Sequence, residues 1–197
     1  MFGLGRPRFH DDQTRASSPG QIGLSRRRFH RLEPLATGLP IGWTVRFASR
    51  EQFEEMLDEH LRLGDSRAAC VMSIDPLLVA AYTDELDCVA MLSFPHWLVE
   101  EHDLKTGDRL LTVNTYSRGQ RIAPDLIAGP RQRGRWVNFY PIIAEFFSDD
   151  VQRIQKRKAR IAEKEWTRCA QMGRERLSSS PARWRNGSPF WSASAVQ

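Results

Sequence analysis

The chain has 197 residues, 41% of them apolar, and 29 Lys and Arg against 24 Asp and Glu, a net charge of +5. That length holds one domain with a substantial core and excludes two of ordinary size. No run approaches the roughly 18–20 apolar residues that span a bilayer, so no membrane partner is expected.

The charge is unevenly divided. Residues 1–33 carry 7 basic and 3 acidic side chains, residues 34–151 carry 11 and 18, and residues 152–197 carry 11 and 3. An acidic centre therefore lies between two basic arms, and basic arms attract polyanions. Only four of the basic residues are Lys, and Arg forks suit phosphate and carboxylate. Arginine-rich composition also follows from a GC-rich genome, and the sequence alone does not separate the two. The three cysteines, Cys70, Cys88 and Cys169, are odd in number and form no CxxC. Cys70 and Cys88 read as small core residues, and a reducing cytoplasm is the expected location.

Residues 1–39 lack hydrophobic periodicity and read as a disordered basic arm. Within it, Ser25-Arg26-Arg27-Arg28-Phe29 resembles the start of a twin-arginine export signal. His30, Arg31, Glu33 and Pro34 follow where an apolar stretch would be needed, so export is not expected. Order is expected over 40–150. Trp43, Val45 and Phe47 alternate with polar residues as in a strand. Ser49 and Gln52 form a capping box for a helix over 50–63, with Phe53, Met56, Leu57, His60 and Leu61 on one face. Replacing Phe53 or Leu57 by Ala should therefore be costly.

Residues 69–74, 77–82 and 88–94 read as apolar strands, the last two joined as an antiparallel hairpin by the acidic residues 83–87. A short helix is expected over 96–102 and a strand over 109–116. Residues 117–135 form a long connection rich in Arg, Gly and Pro, with one helical turn expected over 124–128. Residues 136–139 suit a last strand or the approach to a helix that Pro141 would begin. Ser148, Asp149 and Asp150 cap a long basic helix over 151–177. Residues 178–197 read as a disordered tail. The expected class is α+β, with a small, mainly antiparallel sheet packed by helices.

Chemical motifs are scarce. His96 and His102 stand six apart, about 600° of helical rotation, too far round for a zinc helix. Asp84, Glu85 and Asp87 lack the spacing of a calcium loop and suit a solvated turn or a cradle for an arginine arm. No metal and no cofactor are expected, and the chain leans away from an enzyme.

Two basic features suit polyanions. In the loop, Arg131, Arg133 and Arg135 alternate up to Trp136, which places guanidinium forks beside an aromatic face. In the expected long helix, Arg153, Arg157, Arg160, Lys164 and Arg168 share one face by 3–4 spacing. These nine residues are the candidate polyanion-binding set. The leading expectation is a small cytoplasmic, non-enzymatic binding or regulatory protein that works through contacts with an unidentified protein partner. The alternative is an accessory nucleic-acid binder using the loop and the basic helix.

Overall fold

The structure is a computed structural model that describes residues 16–32, 50–179 and 184–187. Its described elements, in chain order, are α1 (Arg26–Leu32), α2 (Arg50–Leu63), β1 (Asp65–Ile74), β2 (Leu77–Thr83), β3 (Cys88–Phe94), α3 (Trp97–His102), β4 (Arg109–Ser117), β5 (Asn138–Ile143), α4 (Ala144–Phe147), α5 (Val151–Lys158), α6 (Glu163–Ser178) and β6 (Arg185–Asn186). The class is α+β. The sheet, however, is a six-stranded mixed one in the order β5-β4-β1-β2-β3-β6, where a small, mainly antiparallel sheet was expected. The added element is β6, which pairs parallel with β3 through Leu92–Arg185 and Ser93–Asn186. The expected strand around Trp43 and the Ser49 cap lie outside the described residues.

The hairpin over 77–94 forms as its two apolar runs and their acidic connection predict, with Leu77 opposite Phe94 and Thr83 opposite Cys88. Strand β1 begins four residues before the expected start, because Asp65–Ala68 pair with β4. Pro141 lies inside β5 and does not start a helix. An edge strand tolerates proline, since one side of its backbone has no ladder to serve. Helix α4 starts after it, at Ala144. Residues 124–125 form a turn, and no helix occurs over 124–128.

Both faces of the sheet are apolar. One cluster joins Ala69, Val79, Ala81, Ala90 and Leu92 to Phe139, Phe146 and Phe147 and to the helical residues Phe53, Leu57 and Leu61. Phe53 and Leu57 are 6% and 2% exposed, as the helical spacing requires. The second cluster lies on the opposite face, where α6 covers Ala68, Cys70, Ala80, Tyr82 and Met91 with Trp166 and Cys169. Gly173 permits that approach: a Cβ there would come within 2.6 Å of the Met72 sulfur and 2.9 Å of the Ala80 Cβ.

Three expectations about the arms are corrected. Residues 16–32, assigned to a disordered arm, are docked on the domain. Ile22, Phe29 and Leu32 are completely or almost completely buried in the larger cluster. Gly20, Gln21 and Ile22 donate backbone hydrogen bonds to the carbonyls of Gly64, Arg62 and Leu61 at the end of α2. Three isolated apolar residues show no period, yet three buried side chains are enough to anchor a short segment, at roughly 1.5–3 kcal/mol each.

The single long helix over 151–177 is two helices. The path breaks at Ala159–Ala162, where Ala162 is extended (φ −67°, ψ 144°). Nothing in these helix-favouring residues announces the break. It follows from packing: α5 lies against β4, and α6 runs over β1, β2 and β3. Finally, residues 184–187, placed in a disordered tail, carry β6, and Arg185 is 7% exposed.

Arg185 also shows how far the sheet curls. Its guanidinium donates to both carboxylate oxygens of Asp125 at 2.6 and 3.0 Å, to the Phe139 carbonyl at 2.6 Å and to the Asn138 side-chain oxygen at 2.8 Å. Phe139 and Asn138 belong to β5, at the far edge of the sheet from β6. One side chain thus fastens the two edges together.

Candidate functional site

The charge division has a direct structural counterpart. From the N-terminal arm, Arg26 pairs with Glu54 at 3.1 Å, Arg27 and Arg28 with Asp149 at 3.0 and 2.6 Å, and Arg31 with Glu101 at 2.7 Å. From the C-terminal region, Lys158 pairs with Glu145 at 3.1 Å, Arg168 with Asp87 at 3.0 Å and Arg185 with Asp125 at 2.6 Å. The acidic centre is therefore itself a counterion to the basic arms. Most of these pairs are partly exposed, so each contributes little alone. Together they set where the arms lie.

The acidic hairpin turn at residues 84–87 is where arginines gather. Asp87 is 1% exposed and adopts the left-handed region, with φ at +47°. It accepts from the Tyr82 hydroxyl at 3.2 Å, the Arg131 guanidinium at 3.0 Å and Arg168 at 3.0 Å. Burial raises its pKa, the Arg131 and Arg168 hydrogen bonds lower it, and the net direction is down. Gly129 fits the close approach: a Cβ there would lie 2.4 Å from the Asp87 carbonyl oxygen. Arg133 donates to Glu85 at 2.9 Å and lies 3.6 Å from Asp84. Arg67 donates to Asp84 at 2.7 Å from the other side. Arg67, Arg131, Arg133 and Arg168 thus face Asp65, Asp84, Glu85 and Asp87.

Trp136 is buried, at 6% exposure. Its ring stacks on Tyr116 with centroids 5.5 Å apart, and the guanidinium carbons of Arg118 and Arg135 lie 5.6 and 5.8 Å from its centroid. The ring anchors the loop and presents no open face to a base.

The structure divides the nine candidate residues. Arg131, Arg133, Arg135, Trp136 and Arg168 come together around the 84–87 turn and the end of β4. The helical stripe does not survive as a track, because its first three members lie on or after α5 and its last two on α6. Arg157 is 5% exposed and donates to the Gly20 carbonyl at 2.9 Å and to the Gln21 side chain. Burial and the neighbouring Arg160 and Arg153 lower its pKa, yet it holds the N-terminal segment. Arg153 lies 4.0 Å from Asp150, while Arg160 and Lys164 are exposed.

Sequence reasoning missed Arg185 and Asp125. Their signal was a lone acid in a Pro-rich loop and one arginine in an apparently unstructured tail, which no local pattern joins. His96 bonds the Ile74 carbonyl through Nδ1, and His102 faces Arg28 and Phe146, so the two do not meet. Among the described residues no group of three or more His, Cys, Asp or Glu side chains is placed to hold a metal ion. No helix there is long and apolar enough to cross a membrane. No family model, curated protein or solved structure matches the chain.

Proposed function

We propose that this is a small non-enzymatic binding protein whose contact surface is the loop over residues 118–135, and that its partner is a protein bearing an acidic surface. The supporting observation is the way this loop is held. Gly129, Arg131 and Arg133 fasten it to the acidic turn, and Arg118 and Arg135 flank the buried Trp136 ring. Arg118, Arg121 and Arg135 are nevertheless exposed, as is Ile127, at 62%. A held loop loses less conformational entropy on binding than a free one. Arginine is also enriched at protein interfaces.

Nucleic acid fits the same loop less well. A base-stacking aromatic is wanted there, and Trp136 already stacks on Tyr116. A phosphate track is wanted along the C-terminal helix, and the break between α5 and α6 interrupts it.

The test compares two probes, fluorescent polyglutamate and a fluorescent single-stranded oligonucleotide, by anisotropy at low and physiological salt. The expected result is retained polyglutamate binding at physiological salt, abolished by the triple change Arg118→Glu, Arg121→Glu, Arg135→Glu with the circular dichroism unchanged. Oligonucleotide binding stronger than polyglutamate binding, with a steep salt slope, would establish the nucleic-acid reading instead. Equal binding of polyglutamate by the triple variant would remove the loop from the contact.

A further inference from the structure

The face of the sheet under α6 brings together two cysteines that lie far apart in sequence. Cys70 is opposite Ala80 in the β1–β2 ladder, and its side chain joins Ala80 and Ala68 in the cluster beneath α6. Cys169, on α6, points down at the same place: its sulfur lies 3.4 Å from the Ala80 carbonyl oxygen and 3.6 Å from that of Ala68. Both thiols are free. Their surroundings differ. Cys169 is fully buried, whereas Cys70, in the middle of β1, keeps 3% exposure opposite Arg109, the first residue of β4. The Arg109 side chain beside it is 47% exposed and pairs with Glu163 at the start of α6.

We propose that Cys70 and Cys169 are an oxidisable thiol pair, closed to an intramolecular disulfide by a small hydroperoxide, with Cys70 the attacking sulfur. The Cys70 thiolate attacks the distal oxygen of the hydroperoxide. The O–O bond breaks, Cys70 becomes a sulfenic acid, and the leaving alkoxide (or hydroxide, from hydrogen peroxide) takes up the proton that the Cys70 thiol had released, departing as alcohol or water. The Cys169 sulfur then attacks the Cys70 sulfur, the S–OH bond breaks, and the hydroxyl leaves as water with the Cys169 thiol proton. Two thiols are oxidised by two electrons, and one peroxide is reduced.

Electrostatics favours Cys70 in that role. The facing Cys169 thiol holds its pKa below the usual range against the opposing effect of burial, and Arg109 and Arg174 add to the lowering. Burial pushes Cys169 the other way, as suits the resolving thiol. Cys88 is an internal control. It lies on the other face, in the larger cluster, and burial pushes it up to about 12. The resulting bond would tie α6 to β1, and the proposal stands apart from the reading of the arginine loop.

The test treats the full reduced chain with a few equivalents of hydrogen peroxide, then alkylates and maps it by mass spectrometry. The expected product has lost two hydrogen atoms, shows a Cys70–Cys169 linked peptide, alkylates at Cys88 alone and runs as a monomer on a non-reducing gel. Cys169→Ser should instead leave Cys70 as the oxidised or alkylated residue, with no linked peptide. Three free thiols after treatment, a link that includes Cys88, or a disulfide between two copies would overturn the proposal. Because the wild-type map is the primary reading, failure of a variant to fold does not rescue it.

Discussion

At the scale of single residues, the carboxylates explain most of what the arginines do. Asp149 accepts from Ser25, Arg28 and Arg27, which hold its pKa down to about 2 from an ordinary 3.8. A depressed carboxylate contributes stability that is fully present above its unfolded pKa and is lost as pH falls through the folded one. Asp149→Asn is therefore expected to melt below the wild type at pH 7, with the gap closing between about pH 4 and pH 2. The absence of a gap at pH 7 in a thermal-melt series would show that α1 is held by its apolar side chains alone. Asp87 is the more deeply placed acid. Asp87→Asn keeps the side-chain shape and tolerates the left-handed φ, so it removes mainly the charge. It should cost about 1–3 kcal/mol, and hydrogen exchange should quicken at Arg131 and Arg133. Unchanged exchange at those amides would mean that Asp87 does not hold the loop.

Among the elements, the helix over 50–63 was readable from its period, and the test of that reading is direct. Leu57→Ala and Phe53→Ala should each cost about 2–5 kcal/mol in denaturant unfolding, since both side chains lie in the larger cluster. A loss under about 0.5 kcal/mol would contradict their burial. Segment 16–32 behaves differently. It has no period to read, yet Ile22, Phe29 and Leu32 complete the core. Deleting residues 1–32 is expected to lower Tm by more than roughly 10 °C or to prevent folding, whereas a disordered arm would be dispensable. A truncated chain melting within about 2 °C of the full one would restore the view of a loose arm.

Across the whole molecule, one buried ion pair closes the curled sheet. The Arg185 and Asp125 side chains are 9% and 2% exposed. Arg185→Ala would leave the Asp125 carboxylate buried and without its cation. The expected loss is about 3–5 kcal/mol, more than that of any exposed pair here. The double variant Arg185→Met, Asp125→Leu should recover part of it, because an apolar pair leaves no stranded charge. A double variant as unstable as Arg185→Ala, measured in a double-mutant cycle, would place the effect in packing rather than in charge.

The sequence by itself determined the α+β class, the α2 face, the 77–94 hairpin, strand β4 and the division of charge, because each is written in local pattern or in composition. It also carried the acidic turn and the arginine loop as separate features. Only the tertiary structure decided that they meet, since Asp87 and Arg131 are 44 residues apart and Asp87 and Arg168 are 81. It alone decided that the long helix divides at residues 159–162, that Arg157 turns inward to Gly20, and that Arg185 reaches across to β5. The physical reason is common to all of these. Local periodicity encodes which face of an element is apolar, while the pairing of isolated charges and the route of short aperiodic segments depend on which surfaces the packed core brings within a few ångströms.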